Sequence, residues 1–138
     1  MVRSRFKAYG VAAIVLLVLD GVWLGLVSPP LYRMTIGSLL RDVPNLPAAA
    51  LFYALFVVGV VEFVVVPEPP GAPLGRCFAR GLLFGLVAYA TFDLTAMAVV
   101  RGWSWRVTFA DMAWGSLLTG IVAVVTRRLT RGADNGKA

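Results

Sequence analysis

Three aspartates stand inside stretches that are otherwise apolar: Asp20, Asp93 and Asp111. Asp93 has Tyr89 one helical turn before it and Thr91 and Thr95 close by, so a proton, a hydroxyl or a cation can be held at its carboxyl. Asp20-Gly-Val-Trp23 and Asp111-Met-Ala-Trp114 share an Asp-x-x-Trp spacing, which sets acid and indole on one face of a helix. Carboxyls placed this way act as hydrogen-bond acceptors or as general acid and base. Arg101 and Arg106 are the candidate clamp for an anionic group. The opposing reading is structural: the acids bind Tyr, Thr or Arg only to fix the bundle. The Asp-x-x-Trp match is two residues long and is read as coincidence rather than as an internal repeat. Intramembrane acids are functional by default, which favours the first reading.

The segments that carry these acids are membrane-like. The stretch 81–100 is apolar almost throughout and bounded by Arg80 and Arg101. At about 1.5 Å per residue its length matches the hydrocarbon of a bilayer. A carboxylate at that depth costs about 2.5–3.5 kcal/mol on insertion scales, so neighbouring helices should meet it with partners. Of 138 residues, 59% are hydrophobic and 14% charged, against about 25% charged in soluble domains. Mean hydropathy is +0.83. The net charge of +6 lies almost wholly outside the apolar runs. Lipid headgroups are therefore the expected counter-charge, and nucleic acid is not an expected partner.

Absences narrow the chemistry. There is no histidine, which removes His-ligated zinc, His-ligated haem and His-based triads. Cys77 is the single cysteine and has no internal disulfide or redox partner. Both lysines, Lys7 and Lys137, lie outside the apolar runs, so a Schiff base within the bundle is ruled out. No metal site and no cofactor is expected. Tyrosine, tryptophan, arginine and carboxylates remain.

Taken in order, the chain predicts an all-α integral membrane protein: one domain, 1–138, of four transmembrane helices in one bundle. Arg3, Arg5 and Lys7 precede an uncharged run, as in a signal peptide. No small-residue cleavage site follows and hydrophobicity resumes past Asp20, so 8–27 is read as the first span. Ser28-Pro-Pro30 should stop it. The segment 31–47 suggests a short interfacial amphipathic helix ending near Pro44. The second span is 48–66, and Pro67–Pro73 forms a connector that cannot continue a helix. The third span is 78–100, Trp103 and Trp105 are interfacial anchors, and the fourth is 107–126. A basic tail follows, expected to fray. Gly81, Gly85 and Gly115 are read as helix-packing residues.

Nine basic residues fall on the side of the termini and four (Arg33, Arg41, Arg101, Arg106) on the other, which predicts both termini in the cytoplasm. Asp20 then lies about 13 Å from Pro29 and Asp93 about 12 Å from Arg101, both in the outer half. With Asp111 they can converge on an outward vestibule rimmed by Arg33, Arg101 and Arg106. Glu62 stands apart near the inner end, with Arg76 or Arg80 as its natural partner.

Several motifs carry a resemblance: Asp20-x-x-Trp23-Leu, Tyr32-x-x-x-Ile-Gly37, Phe52-Tyr53, Gly85-x-x-Ala-Tyr89-x-Thr-Phe-Asp93-Leu-Thr95 and Asp111-x-x-Trp114-Gly115. On these the chain resembles a family of small bacterial inner-membrane proteins catalogued as a domain of unknown function. Ala96 departs from the asparagine common after Thr95 in that pattern. The resemblance implies four spans and an inner-membrane location, and no established activity.

Three functions fit. The first is binding or modification of a lipid or other amphiphile, with Asp20, Trp23, Tyr89, Asp93, Thr95, Arg101, Asp111 and Trp114 as candidate ligand-binding residues. The second is a non-catalytic accessory or assembly subunit, whose partner is another membrane protein or a second copy. The third is proton or cation conduction, which four helices leave little room for.

Overall fold

Small residues at every fourth position decide how these helices pack. The computed structural model describes residues 2–134, which form helices and turns with no strand. Helix α1 (Val2–Val22) passes through a π-helical segment, Trp23–Val27, into α2 (Ser28–Ile36) and a closing 3-10 turn, Gly37–Leu39. Helix α3 (Leu46–Gly59) ends in a second π segment, Val60–Val65; α4 (Leu74–Val99) and α5 (Trp105–Asp134) complete the chain. Four stretches are long and apolar enough to cross a membrane: Val2–Leu39, Leu46–Val65, Leu74–Val99 and Trp105–Arg131. The protein is all-helical with four candidate spans. An even number of spans returns the chain to its starting end, where Lys7 Nζ donates to the Leu129 carbonyl at 2.9 Å.

Ser28-Pro-Pro30 does not stop the first span, contrary to expectation. Pro29 and Pro30 fall in the first turn of α2, where a missing amide donor costs least. The preceding turn widens to meet them, and the Ser28 N–H bonds back five residues to the Trp23 carbonyl. The short helix between the first two spans is thus continuous with α1, and it closes at Leu39 rather than near Pro44. At its other end the segment 40–45 turns into α3, whose first amides are capped by Asn45 Oδ1 accepting from Ala48 N–H at 3.1 Å.

The helices that carry Asp20 and Asp93 each bury one narrow stripe. On α1 it is Ala8, Ala12, Leu16 and Asp20. On α4 it is Cys77, Gly81, Gly85, Asp93 and Ala96. Residues four apart share a face, so the row that seats a helix against its neighbours also turns its acid inward. The α4–α5 seam is backbone against backbone. A methyl group added at Gly81 would lie 2.8 Å from Gly120 Cα and 2.9 Å from the Thr119 carbonyl. One at Gly85 would strike the Gly115 carbonyl, and one at Gly115 the Tyr89 ring. Small residues permit this approach.

The end that carries the termini is fastened by arginines. Glu62 pairs with Arg5 at 3.7 Å and accepts from Tyr9 Oη at 2.7 Å, so its expected pairing with Arg76 or Arg80 is not found. Those two arginines hold Glu68 instead, at 3.3 and 3.1 Å. The fourth span was expected to give way to a fraying tail at Arg127, yet α5 runs on to Asp134. Arg127 is 9% exposed and donates to the Val65 carbonyl at 3.1 Å and the Pro69 carbonyl at 2.5 Å, while Arg131 donates to the Ala72 carbonyl. Carbonyls at the end of α3 and along the Pro67–Pro73 connector find their donors in α5. Lys137 lies outside the described residues.

Candidate functional site

Asp20 closes the buried stripe of α1 and is 6% exposed. Its two oxygens are both occupied: Tyr53 Oη, from α3, donates to Oδ2, and Trp114 Nε1, from α5, donates to Oδ1 at 3.0 Å. Charge-assisted bonds of this kind are the strong ones, so Asp20 ties three helices together. Asp111 sits nearly two turns into α5, half-buried, and accepts from Tyr32 Oη of α2 at 2.8 Å. The π segment before α2 is what lets Tyr32 remain on the continuing helix.

Asp93 differs from both. It is 0% exposed, and neither carboxyl oxygen has a donor. Its carboxyl lies against that of Asp111. A buried carboxyl against a half-buried one, with no cation beside them among the described residues, requires a proton between them or a donor from outside the protein.

The two Asp-x-x-Trp motifs meet. Trp23 and Trp114 stack with ring centroids 4.9 Å apart and planes 5° from parallel. Each indole therefore reaches across to the other motif's helix, a contact that spacing along one helix does not reveal. Trp114 Nε1 binds Asp20, whereas Trp23 Nε1 is buried without a partner.

These groups surround a cavity of about 350 Å³ lined by Asp20, Trp23, Leu24, Phe52, Tyr53, Ala88, Tyr89, Phe92 and Asp111. Leu24, Phe52 and Phe92 are exposed and form an apolar mouth. The Tyr89 ring packs over Gly115 and meets Phe56 edge-on at 5.9 Å. A second, wholly apolar groove of about 270 Å³ shares Phe52 and continues along Phe56, Gly59, Phe63 and Phe84. From Tyr53 to Phe63 the two cover about 15 Å of α3, half of a hydrocarbon core of about 30 Å.

Of the residues singled out from sequence, Asp20, Trp23, Tyr89 and Asp111 line the cavity. Asp93 and Trp114 stand directly behind it. Thr95 does not join them: it is exposed, because two residues along a helix turn it to the far side from Asp93. Arg101 is exposed and absent from the lining, and Arg33 and Arg106 are exposed as well. Among the described residues, no basic side chain lines the cavity, and the expected arginine rim is not formed. Thr91 turns back to its own helix, donating to the Val87 carbonyl at 2.6 Å.

Sequence reasoning missed Tyr32 and Tyr53 as site residues. A usable signal existed, since a tyrosine on an apolar helix needs a partner for its hydroxyl and the unassigned acids were the partners available.

A family model described as "Predicted membrane protein (DUF2177)" matches residues 5–127, nearly the whole chain. Neither a curated protein nor a solved structure matches. The chain belongs to that family of predicted membrane proteins of unknown function.

Proposed function

We propose that this member of the family binds, and presents for modification, a lipid or other amphiphile whose polar end enters the carboxylate-lined cavity. The observation that carries the reading is that the carboxylate-lined cavity and the apolar groove along α3 and α4 adjoin at a shared residue, Phe52. A polar group can rest among Asp20, Asp111 and Tyr53 while about 15 Å of acyl chain lies beside Phe56 and Phe63. The apolar mouth suits entry from the bilayer rather than from water. A carboxyl pair such as Asp93 and Asp111 is suited to accept and return a proton at a bound headgroup.

Conduction is less well supported. Leu16, Val60, Val61 and Leu118, each at most 1% exposed, form a packed layer between the acids and the terminal end. Glu62, beyond that layer, is engaged by Arg5 and Tyr9.

Filling the cavity tests the reading. Ala88→Trp places an indole in the cavity, and lipid mass spectrometry of the purified variant should show loss of the amphiphile that copurifies with the wild type. Leu83→Trp, on an exposed position outside the lining, should keep it. Equal retention by both variants refutes the site.

We place both termini in the cytoplasm from the nine-to-four basic bias, and the protein in a bacterial inner membrane as the family resemblance implies. A cysteine introduced at exposed Asp42 should react with an impermeant maleimide in intact cells, and one at exposed Arg128 only after lysis. The reverse pattern inverts the orientation.

A further inference from the structure

We infer that the cavity selects an amphiphile with a small cationic head, the ammonium of a single-chain alkylamine, which rests on the binding reading above and names its ligand class.

Three independent features point to a cation. First, the polar wall is acidic and uncompensated. Asp20 and Asp111 line the cavity, Asp93 stands behind Asp111, and among the described residues the ion pairs are confined to Glu62 and Glu68 at the terminal end. A phosphate or carboxylate head would find only like charge there. Second, Asp93 is wholly buried with both oxygens unpartnered. An ammonium at Asp111, which lines the cavity, brings three donors and no acceptor and offsets the repulsion between that carboxyl and Asp93 behind it. A hydroxyl head brings one donor and no charge. Third, all of the remaining wall but Leu24 and Ala88 is aromatic: Trp23, Phe52, Tyr53, Tyr89 and Phe92. Ring faces attract an ammonium and do not attract an anion.

Size and depth specify the rest. Tyr53 lies seven residues into α3, so the head sits about 10 Å below that end of the helix. A primary ammonium with the first carbons of its chain fits a cavity of about 350 Å³. The chain then follows the Phe52–Phe63 groove as a single extended tail.

The test uses the full chain in a neutral detergent, with dodecylamine, dodecanol and dodecanoate as probes and native mass spectrometry as the readout. Dodecylamine should bind at a stoichiometry of one and about tenfold or more tighter than dodecanol, the gap between a charge-assisted and a neutral hydrogen bond. Dodecanoate should not bind. Asp111→Asn should narrow the amine–alcohol gap, and Ala88→Trp should abolish binding of all probes. The ligand series on the wild type decides the matter even where Asp111→Asn fails to accumulate. Dodecanol binding as tightly as dodecylamine, with both lost in Ala88→Trp, overturns the cation inference and keeps the amphiphile site. No saturable binding of any probe, or binding indifferent to Ala88→Trp, overturns the site itself. Preferential binding of dodecanoate overturns the inference and returns the exposed arginines to consideration.

Discussion

Replacing Arg76 and Arg80 together by glutamine should destabilise the protein by about 3 kcal/mol, and adding Glu68→Gln should recover most of that loss. The asymmetry follows from where water reaches. The Glu68 side chain is 0% exposed, whereas those of Arg76 and Arg80 are 58% and 38% exposed. Removing both arginines strands a buried carboxylate, which is the expensive way to break such a pair. Removing Glu68 alone leaves cations that turn to solvent, so Glu68→Gln should cost only about 1 kcal/mol. Thermal melts of the purified double and triple variants in one detergent decide it. A triple variant no more stable than the double would mean that the arginines act by packing rather than by charge. Arg80 also donates to the Phe63 carbonyl at 3.0 Å, which sets the part that the triple variant should not recover.

This clasp was not legible in the sequence, and the reason is geometric. Glu62 and Glu68 are both near the end of α3, and a count of residues gives Arg76 and Arg80 to either. The choice depends on how the Pro67–Pro73 connector folds back, with Gly71 at φ +83° making the turn. That left-handed backbone is glycine's own region and carries Glu68, not Glu62, toward α4. The same connector recruits Arg127 and Arg131, which a reading by composition assigns to a solvated tail.

The spans and their acids were legible because hydropathy and a period near four are properties of one helix at a time. Asp20, Asp93 and Asp111 each sit on the small-residue face of their own segment, so inward orientation follows from spacing alone. Partners across helices were not legible. Tyr53 meets Asp20, and Tyr32 meets Asp111, through rotations and heights that only the packed bundle sets. The Pro29-Pro30 pair misled for a related reason: prolines end an α-helix by default, but a π turn supplied the slack. The anion clamp failed because basic residues close in sequence to the acids lie on exposed turns and faces.

Asp93→Asn should accumulate, insert and melt at or above the wild-type temperature, yet lose the amphiphile that the wild type retains. Both Asp93 oxygens are buried without a donor, and its carboxyl faces Asp111. The amide of asparagine keeps the shape, carries no charge, and offers an N–H to the Asp111 carboxyl. A buried acceptor left unmatched costs about 1–3 kcal/mol, so supplying that donor should be stabilising rather than neutral. This sign separates the two roles. An acid kept as structural glue is more costly to lose than to keep, as at Asp20, where Asp20→Asn replaces an acceptor of the Tyr53 and Trp114 bonds and should lower the melting temperature. An acid kept for function leaves the fold more stable when neutralised, because its unmet oxygens were held for something else. Melting curves of Asp93→Asn and Asp20→Asn, measured beside lipid mass spectrometry of both, give the comparison. A stable Asp93→Asn that still retains its amphiphile in wild-type amount, or complements a deletion fully, removes Asp93 from the site. A destabilised, poorly accumulating Asp93→Asn makes it a packing residue, and the cavity would then have to work through Asp111 and Tyr53 alone.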